Sequence, residues 1–379
     1  MENLQAWFKD NNFNTVKEGA AKLTEELGIS VKEYEEEGLY VFNYSQFGSP
    51  KTHPVVLECR GLITTNDLVP VCRPFDRFFN IGEALEITQN VDISKSDIFE
   101  KADGSLVKMY CYKGLWHVAT RGTAFAESVN YTEETFQDLI LEALGCNSMD
   151  DFRDRMCEAH RDYTYVLEYT SPKNRVVTPY TTSELVLLGV RHNATGKESS
   201  GSTDVKHLAD DLKTYCHLNV RPAKSYTFTS KEEMMKAVQS LPGLQEGFVC
   251  YDQGKRIKAK SDLYERVHRL RGDNVPTPKR IIELVVTNEV EEYLAYFEED
   301  RKMFQPYMDA FDDMVKEAHN LYWKVKSLES QKDFAMAVKD KCYFASLFMA
   351  RRNNTSYATE FMNMEVPARA KVLATYIGN

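Results

Sequence analysis

The hydrophobic period of this chain changes near residue 265, and no single repeating architecture accommodates both parts. Before that point the apolar residues come in short strand-like segments, alternating or fully apolar. YTYVLEYT at 163–170, the runs 185–190 and 247–251, and RIKAK at 256–260 are of this kind. Segments 106–112 and 116–120 flank Lys113-Gly114, which reads as a hairpin turn. Phe136, Leu139, Ile140, Ala143 and Leu144 mark a helix within 134–144. Ser230 followed by Glu233 reads as a capping box opening another, through about residue 240. The polar stretch 199–203 is expected to be a loop, and residues 1–50 one or two helices and a strand. Residues 271–278 have the turn and proline content of a linker. Beyond it, Phe304, Met308, Phe311, Val315, Ala318, Tyr322 and Val325 share one face of a long amphipathic helix. The expected fold class is α+β: a body of antiparallel sheets with flanking helices over residues 1–265, then an all-α domain over 266–379.

Composition narrows the function classes. Hydrophobic residues make up 43% of 379, with 21 tyrosines and 20 phenylalanines, which excludes a disordered or fibrous chain. No run of about 18 apolar residues is present to span a bilayer. MENLQAWFKDNN at the N-terminus lacks the apolar core of a signal peptide, so a cytoplasmic protein is expected. The eight cysteines form no CxxC pair and no zinc-finger spacing with histidine, and are expected to be reduced thiols packed as small hydrophobes. A net charge of −10 argues against nucleic-acid binding, but residues 253–280 hold nine Lys/Arg against three Asp/Glu. Such a segment reads either as a solvated face or as a phosphate-binding one.

No P-loop, GxGxxG, GxSxG or HExxH sequence occurs. Nucleotide chemistry would need another architecture, and four groups of residues offer one. Lys101-Ala-Asp103-Gly104-Ser105 pairs a candidate nucleophilic lysine with a glycine that lets backbone approach a ligand. Nearby positive charge would lower the lysine pKa. In RIKAK, alternation puts Lys258 and Lys260 on one face about 7 Å apart, suited to a phosphate chain. Glu168 and Glu246 are isolated acids in apolar strands, where a carboxylate needs a donor, a cation or a metal. Upstream, Glu58-Cys-Arg60-Gly and Arg73-Pro-Phe-Asp-Arg77-Phe-Phe79-Asn80 offer guanidinium forks for phosphate and, in Phe79, a ring to stack on a base. Each group alone reads equally as a turn, a solvated face or a salt bridge.

In order along the chain, ECRG, RPFDRFFN, KADGS, YVLEY, ELVLLGVR, EGFVCY and IKAKS resemble the motifs of the covalent nucleotidyltransferases. Within that superfamily the chain looks like the RNA ligase 1 family of T-even-like phages, over essentially its whole length. The resemblance implies a nucleotidyltransferase (ATP-grasp-like ligase) domain followed by a helical domain for RNA or tRNA substrate choice. It implies an ATP-dependent enzyme, with Mg²⁺ or Mn²⁺, that joins 5′-phosphate and 3′-hydroxyl RNA ends. Cleaved tRNA is one such substrate. The alternatives are a GTP-dependent capping-type enzyme and a non-catalytic RNA-binding protein on the same fold. Residue by residue, Lys101 matches the adenylylated lysine, with Asp103, Gly104 and Ser105 completing its motif. Arg60, Arg77 and Phe79 match positions around the nucleotide, Glu168 the ribose-binding acid, and Glu246 the acid linked to metal. Lys258 and Lys260 match the pair on the α-phosphate. Arg77 and Arg121 stand where the best-known pattern has lysine. A monomer in a host-cell cytoplasm, with no membrane partner, completes the expectation.

Overall fold

The computed structural model describes residues 1–129, 133–156, 159–272 and 275–378. Cys157, and Asp273 and Asn274 of the expected linker, lie outside the described residues. The chain falls into two compact units, Met1–Arg266 and Val267–Asn379.

The first unit is built on three sheets. In the first sheet, β1 (Ile29–Tyr34), β2 (Leu39–Tyr44), β3 (Arg60–Thr65) and β4 (Pro70–Cys72) follow one another antiparallel. Helices Glu2–Asp10 and Val16–Leu27 precede it and bury Leu4, Phe8, Leu23 and Leu27 with Ile29, Phe42 and Leu62. The second helix starts at a capping box, in which Thr15 accepts from the Glu18 amide and Glu18 reaches back to Thr15. Two helices and a hairpin thus stand where one or two helices and a strand were expected.

The second sheet runs β11-β10-β9-β7-β8, and the third runs β13-β6-β14-β15-β5. Their strands are β5 (Phe79–Asn80), β6 (Asp97–Lys101), β7 (Ser105–Tyr112), β8 (Leu115–Thr120), β9 (Tyr163–Thr170) and β10 (Glu184–His192). Then come β11 (Glu198–Ser199), β12 (Val220–Pro222), β13 (Ser225–Tyr226), β14 (Gly247–Asp252) and β15 (Lys255–Lys260). The β7–β8 hairpin turns at Lys113 and Gly114, both with positive φ (50° and 79°), the geometry of a two-residue primed turn. Pairing is antiparallel except β12 on β10 and β5 on β15. Those two pairs depart from the wholly antiparallel expectation, because each is joined through long intervening chain rather than a tight turn.

Two local readings are corrected. Residues 199–203 are not a loop: Glu198–Ser199 pairs with β10, and Ser202 opens a helix to Tyr215. That helix buries only Val205, Ala209 and Leu212. Val205, Leu208, Ala209 and Leu212 keep helical spacing, but the helix opens on the polar Ser202-Thr203-Asp204, which reads as a continuation of the loop. At the helix Lys231–Gln239, Ser230 does cap the Glu233 amide at 3.1 Å, but Glu233 reaches back to Thr229, one residue upstream.

The second unit is helical. Pro278–Thr287, capped by Thr277, packs on Arg301–Val325 and on Val366–Gly378. The 25-residue helix Arg301–Val325 buries Phe304, Met314, Ala318, Tyr322 and Val325, while Met308, Phe311 and Val315 are half-buried.

The third sheet positions the lysines. Gly247 is in register with Lys101 of β6 on one side and Lys260 of β15 on the other. Directly opposed residues share a face, so the two lysines flank a position without a side chain. Gly247 has φ +152°, and a Cβ there would lie 1.9 Å from the Ala259 carbonyl oxygen. Gly247→Ala should therefore destabilise the unit by about 2 kcal/mol or more through strain and overpacking. Urea unfolding of the variant against the wild type measures it, and equal midpoints would show that β14 and β15 can separate there.

Candidate active site

Lys101 closes β6 and Ser105 opens β7, so Ala102-Asp103-Gly104 carries the chain from the third sheet to the second. Glu168, on β9 beside β7, faces this crossing and accepts from the Gly104 amide at 3.1 Å. Gly104 is needed for a different approach from the one expected of it. A Cβ there would lie 2.0 Å from the Tyr169 carbonyl oxygen, so the glycine admits β9 rather than a ligand.

Asp103 is likewise a fastener. Its Oδ2 accepts from the amides of Val177 and Thr178 at 2.9 and 2.7 Å, and its Oδ1 from the Tyr264 hydroxyl at 2.6 Å. Its own amide donates to the Tyr180 hydroxyl at 3.0 Å. With both oxygens engaged and 3% exposure, it ties the segment after β9 and the start of the helix Asp262–Arg271 to the Lys101 turn. Ser105 Oγ accepts from Asn174 at 2.9 Å.

Glu246 lies at the centre of the charges. Its Oε2 takes Lys101 Nζ at 2.8 Å and its Oε1 takes Lys260 Nζ at 2.8 Å, with the carboxylate 3% exposed. Burial alone would raise its pKa, but the two ammoniums outweigh burial and hold it below the usual carboxylate range. Lys101 shows the mirror image: burial would lower it, yet Glu246 and Glu168 hold it above the ordinary lysine value. This overturns the expectation that neighbouring positive charge keeps Lys101 neutral. Lys258 beside it is pushed down, to about 7, by burial and then by Lys101, Lys260 and Arg60. Glu168 is pushed up to about 7, chiefly by burial, with Lys101 opposing.

A second group of cations adjoins the first. Tyr44, at the end of β2, has the Arg77 guanidinium 4.1 Å from its ring centre and that of Arg121 at 4.5 Å. Asn43 beside it donates to the Arg121 carbonyl at 3.0 Å and accepts from the Arg121 side chain at 3.3 Å. Arg60, opening β3, feels Tyr44, Arg121 and Glu168, and its guanidinium lies 5.3 Å from the Phe78 ring. A buried guanidinium nitrogen of Arg60 and one of Arg77 have no hydrogen-bond partner. Each is a fixed donor ready for an acceptor.

Of the residues singled out in the sequence, Lys101, Glu168, Glu246, Lys258, Lys260 and Arg60 act on one another, and Arg77 and Arg121 join them through Tyr44. Phe79 does not. It is 3% exposed, whereas Phe78 is half-buried and presents its ring to Arg60 and, at 5.4 Å, to Lys258 Nζ. Tyr44, Asn43, Phe78 and the Asp103 partners Tyr180 and Tyr264 went unnoticed in the sequence. Only Phe78, inside RPFDRFFN, sat within a motif. That motif is anchored from behind, where Arg191 grips both Asp76 oxygens at 2.6 and 3.1 Å.

The raised Glu168 pKa makes a signed prediction. Between the ordinary carboxylate value and about 7 the folded protein holds a proton that the unfolded chain has lost, so Glu168 costs stability as pH rises through that window. Glu168→Gln removes this dependence. Its stability relative to wild type, by urea unfolding, should become more favourable between pH 5 and pH 7.5, and an unchanged difference would mean Glu168 titrates normally.

Comparison with known proteins agrees with this arrangement of motifs. A family model described as RNA ligase matches residues 58–264, more than half of the chain. Another, described as the plexin cytoplasmic RasGAP domain, matches residues 279–368. A protein named as a bifunctional polynucleotide kinase/RNA ligase, of Autographa californica nuclear polyhedrosis virus, is 32% identical over 375 residues, covering 95% of this chain and 52% of its own. The chain therefore spans about half the length of that relative. An RNA ligase of Rhodothermus phage RM378 is 23% identical, with 83% of this chain and 84% of that protein covered. An RNA ligase of Naegleria gruberi solved with ATP and Mn superposes with a TM-score of 0.39 at 14% identity, over 50% of this chain and 56% of that one. On the family match, this chain belongs to the RNA ligase family.

Proposed function

We propose that this chain is an ATP-dependent RNA ligase that forms a lysine–AMP intermediate on Lys101. The observation that carries the reading is the buried Glu246 carboxylate, which fixes Lys101 Nζ at 2.8 Å among Lys258, Lys260 and Arg60. The names of the viral and phage relatives support it.

Three displacements at phosphorus make up the reaction. Lys101, as the neutral amine, attacks the α-phosphorus of ATP; an N–P bond forms, the P–O bond to pyrophosphate breaks, and the lysine proton is lost. A 5′-phosphate oxygen of RNA then takes the AMP from Lys101. Last, a 3′-hydroxyl attacks that activated phosphate, a phosphodiester forms and AMP leaves. Every step spreads negative charge on phosphate oxygens, so fixed cations supply stabilisation without rearranging. Lys258 and Lys260 hold the α-phosphate side. Arg60, Arg77 and Arg121 receive the remaining phosphates, and Phe78 packs on the base. The Glu246 pairing orients Lys101 but keeps most of it protonated at neutral pH, so the first step draws on a small neutral fraction.

Among the described residues no three His, Cys, Asp or Glu cluster as a metal cage. Mg²⁺ or Mn²⁺ bound with ATP needs no such cage, since it takes one or two carboxylates plus phosphate oxygens. Glu246 and Glu168 are the carboxylates that would hold it, and it would neutralise phosphate charge.

The substrate is read as RNA with 5′-phosphate and 3′-hydroxyl ends, such as cleaved tRNA, with the helical unit in substrate choice. A monomer acting in a host cytoplasm fits the viral relatives; no helix among the described residues is long and apolar enough to cross a membrane. Lys101→Ala should abolish labelling by α-labelled ATP in Mg²⁺ yet retain sealing of RNA already carrying 5′-AMP. Labelling of that variant, or labelling of the wild type by GTP in preference to ATP, would overturn the assignment.

A further inference from the structure

Lys108 is a fully buried cation that the reaction above does not use. It sits in mid-β7, opposite Ala119 of β8 and Val166 of β9, and is 0% exposed. An ammonium in such a place is costly unless it is bonded, and a methionine would fill the space without that cost. The one hydrogen bond it makes among the described residues is to the Gly61 carbonyl, at 2.6 Å.

That carbonyl belongs to a junction. Gly61 has φ +79°, and a Cβ on it would lie 2.8 Å from the Arg121 carbonyl oxygen, so its backbone lies against that of Arg121. Arg60 is its chain neighbour. Asn43 holds Arg121 from the other side through two hydrogen bonds, and Tyr44 follows with the Arg77 and Arg121 guanidiniums on its ring. The backbone Lys108 grips therefore follows Arg60 by one residue and lies against Arg121. Arg60 and Arg121 in turn are among the groups that lower Lys108 to about 8, after burial itself, with the Cys72 thiol acting in the other direction. Like charges packed together, with a guanidinium nitrogen of Arg60 unpartnered, form an arrangement that an anion relieves.

We propose that Lys108 is a positioning residue for the triphosphate of ATP, holding the Gly61 carbonyl, one residue past Arg60, so that Arg60 and Arg121 converge on the phosphates. This rests on the ligase reading above. Lys108 touches no substrate; it acts through Gly61. It bears on capture of ATP and not on sealing, where the triphosphate has gone.

The test uses the full chain as wild type, Lys108→Met and Lys108→Gln. ATP-dependent self-labelling is measured against ATP concentration, and sealing of pre-adenylylated RNA is measured alongside. Lys108→Met should raise the KM for ATP about tenfold with the maximal labelling rate and sealing within about twofold, the pattern of a lost binding contribution. Lys108→Gln retains an N–H donor and should raise KM about threefold, again sparing sealing; it is the variant to read if Lys108→Met does not fold. An unchanged KM for ATP, or equal losses in labelling and sealing, overturns the role of Lys108. A wild type that takes no label from ATP overturns the ligase reading as well.

Discussion

The Glu246 carboxylate between Lys101 and Lys260 is the constraint on which the rest of the first unit depends. One buried anion with an ammonium on each oxygen is satisfied only if β6, β14 and β15 keep their register, and Gly247 leaves the gap through which both lysines reach it. Removing either partner from so buried a pair leaves an uncompensated charge, at a cost of about 3–5 kcal/mol. The same ion pair aims Lys101 and holds its proton. On the proposed reading, orientation is obtained at the expense of nucleophile concentration, and incoming phosphates would compete with Glu246 for the two lysines.

Around that pair the charges are unbalanced by design of the fold. Among the described residues Lys258, Arg60, Arg77 and Arg121 find no carboxylate of their own, while Glu168 is left so desolvated that it titrates near neutrality. These are the marks of a site completed by a polyanion. The residues that look polar in the motifs divide accordingly. Asp103, Gly104 and Ser105 are spent on closing the crossing between two sheets, and what remains free for chemistry is the lysines, the arginines and Glu168.

The fold was legible in proportion to its periodicity. Strands β7, β8, β9, β14 and β15 and the long helix after residue 300 show their period within a few residues, and α+β followed by helix could be read directly. The start of the helix Ser202–Tyr215 was missed although Val205, Leu208, Ala209 and Leu212 keep helical spacing, because its first turn is the polar Ser202-Thr203-Asp204. At the site, Lys258 and Lys260 share a face by strand parity alone. Parity fails for Phe78 and Phe79, since β5 is two residues long and nothing in FF says which ring faces inward. Asp103 is fixed by partners 74 to 161 residues away, and Tyr44 acquires its role from arginines on the segments before β5 and after β8. The protonation of Lys101 was misread for the same reason. Counting lysines along β15 suggests mutual repulsion, while the nearest charge in space is a carboxylate from the residue before β14.

Two lysines compete for the role of nucleophile on different grounds: Lys101 by position and orientation, Lys258 by its pKa near 7. Peptide mapping by mass spectrometry of the wild-type chain, after incubation with ATP and Mg²⁺, decides between them. The account predicts a single AMP adduct on the peptide containing Lys101. An adduct on Lys258, or no adduct on any lysine of a folded chain, would contradict it.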